Sequence, residues 1–164
     1  YGGAGDDRVV HNAGGSTVYG GSGNDNLQGH TVYGGTGNDV LTGFVMYGHA
    51  GADTLIGGSG LGTFHDGLGI DEMIGGDSQL SDTFVLASDG QRDTIRGFTF
   101  GFDILDLTAW NVAELDALSF DSVGPSGLTI RFEDETLDIW FNPLWSVPNF
   151  VAEIAEGVRD DIIF

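Results

Sequence analysis

The chain has 164 residues, 40% of them hydrophobic, with 25 acidic against 5 basic side chains and a net charge of −20. That length suits one domain, and the apolar content excludes a collagen-like or low-hydrophobicity disordered chain. The charge repels nucleic acid and anionic membranes, no apolar run approaches the roughly 20 residues of a membrane span, and the lack of cysteine removes disulfides and thiolate metal sites. All five cations are Arg, and 19 of the acids are Asp, so the long-stem charges of ordinary helices are nearly missing.

Glycine and the aromatics separate along the chain. Of the 29 Gly, 23 lie within residues 1–76, while nine of the eleven Phe and all three Trp lie after position 80. Tyr1 stands directly before a Gly pair, and a chain opening inside a repeat is expected to be part of a longer one. The first half reads as nonapeptides: Gly2-Gly3-Ala4-Gly5-Asp6-Asp7, Gly20-Gly21-Ser22-Gly23-Asn24-Asp25, Gly34-Gly35-Thr36-Gly37-Asn38-Asp39, and Gly48-His49-Ala50-Gly51-Ala52-Asp53. Gly57-Gly58-Ser59-Gly60-Leu61-Gly62 and Asp66-Gly67-Leu68-Gly69-Ile70-Asp71 are looser copies. The common form, G-G-x-G-x-D-x-U-x with U large and apolar, resembles the calcium-binding repeat of parallel β-helix proteins.

The chemistry of that pattern is direct. Glycines at positions 1, 2 and 4 let the backbone take positive φ and turn its carbonyls inward, while x-U-x is a three-residue strand with one side chain aimed at the core. Two nonapeptides then make one turn of a flattened right-handed roll. Carbonyl and Asp oxygens between stacked loops make a flexible hard-oxygen cage, which suits Ca²⁺ and its six to eight ligands better than Mg²⁺. The expected ligand-bearing positions are Gly3, Gly5 and Asp7; Gly21, Gly23 and Asp25; Gly35, Gly37 and Asp39; His49, Gly51 and Asp53; and Gly67, Gly69 and Asp71. Asp82 and Asp93 are added from the following segments.

Shorter units, Gly29-His30-Thr31-Val32-Tyr33 and Gly43-Phe44-Val45-Met46-Tyr47, alternate with the nonapeptides, so the predicted coils span residues 2–19, 20–33, 34–47 and 48–65. Position-6 Asp falls on half-coils of one parity, and the other parity offers Ser16, two truncated turns and Gly62. The expectation is a calcium ladder of about four to five ions down one edge and a metal-poor edge opposite. Two apolar ladders should face each other, Val9, Leu27, Leu41, Leu55 and Met73 against Val18, Val32, Met46, Phe64 and Phe84. Tyr1, Tyr19, Tyr33 and Tyr47 each precede a loop Gly and should align in one column, read as a shield for strand backbone or, alternatively, as a polysaccharide-stacking strip.

After Gly75 the repeat breaks, and a solenoid needs a cap over its last coil. Phe98, Phe100, Phe102 and Trp110 are suited to it. Asn111 reads as the N-cap of a short helix over Val112–Leu118 with Glu114 in a capping-box place. Leu128–Phe132 and Thr136–Phe141 read as a hairpin around Asp134-Glu135, and Phe150–Gly157 as a last strand. The fold class is thus all-β, with a roll over 1–86 and a β-rich cap with one short helix over 87–164. No H-E-x-x-H or G-x-S-x-G motif is present, the four His are read as loop or turn surface positions without zinc spacing, and the Asp residues already have a metal role, so no catalytic residue is assigned.

The nonapeptides, together with Asp82-x-Phe84-Val85, Asp93-x-Ile95-x-x-Phe98, Phe102-Asp-Ile-Leu-Asp-Leu107 and the terminus Asp160-Asp-Ile-Ile-Phe164, resemble the C-terminal domain of RTX proteins. Such domains occur in serralysin-type proteases and RTX lipases, and as the R-modules of mannuronan epimerases. The resemblance implies a secreted, extracellular or surface-associated protein that passes a type I secretion apparatus and folds on calcium outside the cell, with the export signal at its C-terminus. The five-residue half-coils and Gly62 in place of Asp depart from that pattern.

Overall fold

Each x-U-x triplet becomes a short strand, and each loop between triplets turns the chain back over itself. A computed structural model describes residues 1–76, 80–141 and 161–164. In the repeat half the strands are β1 (Gly3–Ala4), β2 (Arg8–Val10), β3 (Thr17–Ser22), β4 (Asn26–Gln28), β5 (Thr31–Thr36), β6 (Val40–Gly43), β7 (Val45–Ala50), β8 (Thr54–Gly57), β9 (Thr63–Leu68) and β10 (Glu72–Ile74). There follow β11 (Thr83–Val85), β12 (Arg92–Phe98), β13 (Ile104–Asp106), β14 (Ser119–Ser122), β15 (Gly127–Phe132), β16 (Glu135–Phe141) and β17 (Ile162–Ile163).

The strands sort by parity into two sheets, as a roll requires. One runs β1-β3-β5-β7-β9-β11-β13-β17, and the other runs β2-β4-β6-β8-β10-β12-β16 and ends in β15 and β14. Pairing is parallel throughout except for the β14-β15-β16 meander. The result is a parallel β-solenoid of about six turns. Both sheets continue past residue 86, through β12 and β13 and on to β16 and β17.

Register follows the unequal coil lengths: Gly3 pairs with Gly21, Gly21 with Gly35, Gly35 with His49 and His49 with Gly67. The short coils demand small residues at their tight edge. A Cβ on Gly43 would meet the Gly29 carbonyl oxygen at 2.9 Å and Val32 Cγ2 at 3.0 Å, below ordinary van der Waals contact.

Both apolar ladders form between the sheets. Leu27, Leu41, Leu55 and Met73 are fully buried, with Ile95 and Ile139 extending the row. Val18, Val32, Met46, Phe64 and Phe84 face them, with Leu105 next. Val9, on the outermost strand of its sheet, is only partly covered. Phe64 and Phe84 stack at 4.7 Å between ring centroids, thickening the core toward the cap.

The C-terminal half corrects three expectations. The helix over 112–118 does not form: two 3-10 turns, Thr108–Trp110 and Leu115–Ala117, stand there instead. Asn111 is the C-cap of the first turn rather than an N-cap, left-handed at φ 53 and ψ 36, a conformation Asn tolerates because its short polar side chain can bond locally. A segment of seven residues gains too few bonds to offset helix nucleation. Phe98, Phe100 and Trp110 enter the cap core, where the Trp110 indole N–H donates to the Ala87 carbonyl at 2.7 Å, but Phe102 is 45% exposed. The hairpin forms as β15–β16, turning at Glu133-Asp134, one residue earlier than expected, with Glu133 at φ 54. The expected strand over 150–157 lies outside the described residues. The terminus adds β17 beside β13, and Asp161 accepts the Gly101 N–H at 3.0 Å.

Candidate metal centre

The position-6 aspartates form one continuous column. Oδ1 of Asp25 accepts the Asp7 N–H, Oδ1 of Asp39 the Asp25 N–H, Oδ1 of Asp53 the Asp39 N–H and Oδ1 of Asp71 the Asp53 N–H, each at 2.7 Å. Asp93 continues it, accepting the Asp71 N–H at 2.8 Å. One carboxylate oxygen therefore pins each loop to its neighbour and leaves the other to face inward. Among the described residues, Oδ2 of Asp25, Asp39, Asp53, Asp66 and Asp71 is buried without a hydrogen-bond partner.

Burying an unpaired carboxylate oxygen is strongly unfavourable, and four of them along the column, with Asp66 beside its end, make a place suited to a cation. The protonation equilibria carry the same strain. Burial, opposed by the backbone N–H and reinforced by the neighbouring carboxylate, raises Asp53 to about 6 and Asp71 to about 7, and Asp39 moves in the same direction. Position 1 is Gly because the orphan oxygen lies against it: a Cβ on Gly34 would stand 2.5 Å from Asp39 Oδ2, and one on Gly48 2.6 Å from Asp53 Oδ2. Positions 2 and 4 hold φ of 120° and 118° in the Gly35–Gly37 loop, turning carbonyls as only Gly does without strain. These donors are all hard oxygen in a cage of carbonyl and carboxylate, the set that fits Ca²⁺. His49 stands in register with Gly35 and Gly67 at φ 76, a non-Gly residue in a Gly place.

A second ladder, which the sequence reading passed over, lies at position 5. Oδ1 of Asp6, Asn24 and Asn38 accepts the N–H of Asn24, Asn38 and Ala52 at 2.7, 2.7 and 2.9 Å. It points the opposite way along the stack from the aspartate column, so adjacent loops are tied in both directions. The recurring Asp or Asn before the position-6 Asp was its sequence signal.

The opposite edge is built differently. The Ser16 hydroxyl oxygen accepts the His30 N–H of the next coil at 3.0 Å, so a single hydroxyl ties these coils where the other edge uses Asp. Asp82 lies on this edge with both oxygens engaged, Oδ1 by the Gly62 N–H at 2.7 Å and Oδ2 by the Gly76 N–H at 3.1 Å. Asp103, not singled out from sequence, accepts the Asp82 and Thr99 N–H groups at 2.9 and 2.6 Å. These carboxylates are saturated by amides, in contrast to the orphaned column.

The tyrosines stack as one column at centroid distances of 4.7, 4.9 and 4.7 Å, nearly parallel, and His65 on β9 extends it at 4.3 Å from Tyr47. His65 is thus a half-buried strand residue, not a loop position. Tyr19, Tyr33 and Tyr47 each have a ring stacked on both faces.

The family model described as the RTX calcium-binding nonapeptide repeat matches four copies in this chain, over residues 1–30, 31–44 and 45–64. No curated protein matches the chain. Asp66, fully buried beside Asp71 and Asp93, was also missed from sequence, because it occupies a loop place that reads simply as a lost glycine.

Proposed function

We propose that the chain is a calcium-driven folding and export module of a larger extracellular protein, a reading supported by the match of residues 1–64 to the RTX calcium-binding nonapeptide repeat and by the parallel β-solenoid. The observation that carries this reading is the column of buried, unpartnered Asp Oδ2 atoms on one edge. The position-2 and position-4 residues of each loop, Gly3 and Gly5 through Gly67 and Gly69 with His49 among them, and Asp7, Asp25, Asp39, Asp53 and Asp71 would hold the ions. Five stacked loops have four gaps, and Asp93 offers a fifth. Bound calcium supplies the positive charge that the column lacks.

The functional consequence is linkage. Without calcium the aspartates repel one another and the Gly-rich loops lose much entropy on ordering, which keeps the chain extended enough to thread a type I secretion channel. Outside the cell, millimolar calcium at about ten times a Kd of order 10⁻⁴ M stabilises the folded form by about 1.4 kcal/mol per site. Among the described residues no helix is long and apolar enough to cross a membrane. The test is far-UV circular dichroism across a calcium titration from excess EGTA. A cooperative gain of β signal is expected, and the same spectrum at both ends would refute the reading.

A further inference from the structure

Asp66 occupies the place that glycine holds in the preceding coils. Flanking pairs set Tyr33, Tyr47 and His65 in register, and likewise Gly35, His49 and Gly67, so Asp66 stands level with Gly34 and Gly48. A side chain at that place is aimed at the position-6 carboxylate, as the 2.6 Å between a Cβ on Gly48 and Asp53 Oδ2 shows. In the last coil the Asp66 carboxylate therefore enters the space beside Asp71, and ligand atoms of Asp66, Asp71 and Asp93 all lie within 4.8 Å of one another.

All three residues are at least 96% buried. Asp66 is held in this pose by its own Oδ1, which accepts the Gly67 N–H at 2.6 Å and the Ala87 N–H at 2.9 Å. Its Oδ2 and that of Asp71 are buried with no partner. The arginines nearest in sequence to Asp93 are committed elsewhere, Arg92 to Asp138 and Arg96 to Glu72. Three carboxylates converging in a low-dielectric interior repel one another unless protons or a cation offset their charge, and a cation can engage all three at once.

We infer that Asp66 joins Asp71 and Asp93 in that fifth gap, making a cation site that differs from the other gaps in being built on three side-chain carboxylates and in binding calcium more tightly. Adjacent ladder loops contribute two aspartates to each gap; this site has three, and charge count together with rigidity sets calcium affinity. Its ligands come from β9, from the loop before β10 and from β12, so occupancy ties the last repeat to the C-terminal half. The segment after β11 is drawn to the same place: Ala87 binds Asp66, the Asp89 carboxylate accepts the Gly69 N–H at 2.5 Å, and Glu135 accepts the Ser88 hydroxyl and the Gly90 N–H at 2.6 and 3.0 Å. The inference rests on the calcium reading above.

The test is calorimetric titration of the whole chain with Ca²⁺, with Tb³⁺ luminescence as a second readout. The wild-type isotherm should contain one ion bound about tenfold or more tighter than the others. Asp66→Gly, which restores the residue of the other coils, and Asp66→Asn, which keeps shape and the Oδ1 hydrogen bonds, should each lose that tight class while keeping the weaker ions and the β-roll spectrum at saturating calcium. A wild-type isotherm without a tight class, or a tight class unchanged in either variant, overturns the inference. If Asp66→Gly fails to fold, Asp66→Asn decides alone, and failure of both at saturating calcium counts against it as a purely structural requirement. No calcium binding by the wild type would instead sink the proposed function.

Discussion

Replacing Asp39 by Asn isolates the charge from the hydrogen bond. Asn keeps an Oδ1 acceptor for the Asp25 N–H, 2.7 Å away, and puts an NH₂ where the orphan Oδ2 lies. Asp39 borders two gaps, toward Asp25 and toward Asp53. With calcium at about ten times Kd each lost site removes about 1.4 kcal/mol, so Asp39→Asn should cost about 3 kcal/mol. In the metal-free roll the sign reverses. Burial and the charge of Asp25 raise the pKa of Asp39, which marks its anion as destabilising there, and a neutral amide removes that penalty. Guanidinium unfolding followed by circular dichroism reads both arms, the metal-free one in EGTA with TMAO to favour the compact form. A loss of equal size with and without calcium would refute the reasoning, because it would mean that the carboxylate serves only as a hydrogen-bond acceptor.

His49→Gly should raise stability by about 0.5 kcal/mol, relief of the left-handed φ outweighing the extra entropy of Gly in the unfolded chain; a drop of thermal midpoint would show that its ring contacts with Tyr33 and Tyr47 matter more. Leu41→Ala, in the middle of a fully buried ladder, should cost about 2–5 kcal/mol and raise the calcium midpoint of folding, and an unchanged midpoint would contradict the packing. Tyr33→Ala removes the stacking contacts with Tyr19 and Tyr47, at 4.9 and 4.7 Å, and the His49 ring contact, and should cost about 1–3 kcal/mol, measured by chemical denaturation in saturating calcium. In the absence of metal, acid should favour the roll. Asp53, Asp66 and Asp71 are raised by burial from 3.8 to about 6, about 8 and about 7, so the folded form holds extra protons and its stability is full below about pH 4 and lost as pH rises toward 8. Circular dichroism of protein stripped of calcium by a chelating resin, in calcium-free buffers at about pH 4.5 and about pH 8, checks the direction, and greater structure at the higher pH would reverse the argument.

The repeat alone determined the architecture, since a nine-residue pattern with three glycines, one Asp and one apolar residue leaves few ways to stack. Coil lengths, the two core ladders, the Asp column and the Tyr column were all legible because each depends on periodic spacing along the chain. Where the period ends, that legibility ends with it. The fate of residues 108–118 turned on a left-handed Asn111 and the docking of Trp110 onto Ala87, contacts distant in sequence. Only the tertiary structure separated aspartates that look alike in the chain. Asp82 has both oxygens saturated by amides and Asp39 has one left bare, a difference made by which loop lies above each. It likewise turned Asp66 from a missing glycine into the third carboxylate of a buried cluster, because its meaning depends on Asp93, brought beside it by one further turn of the roll.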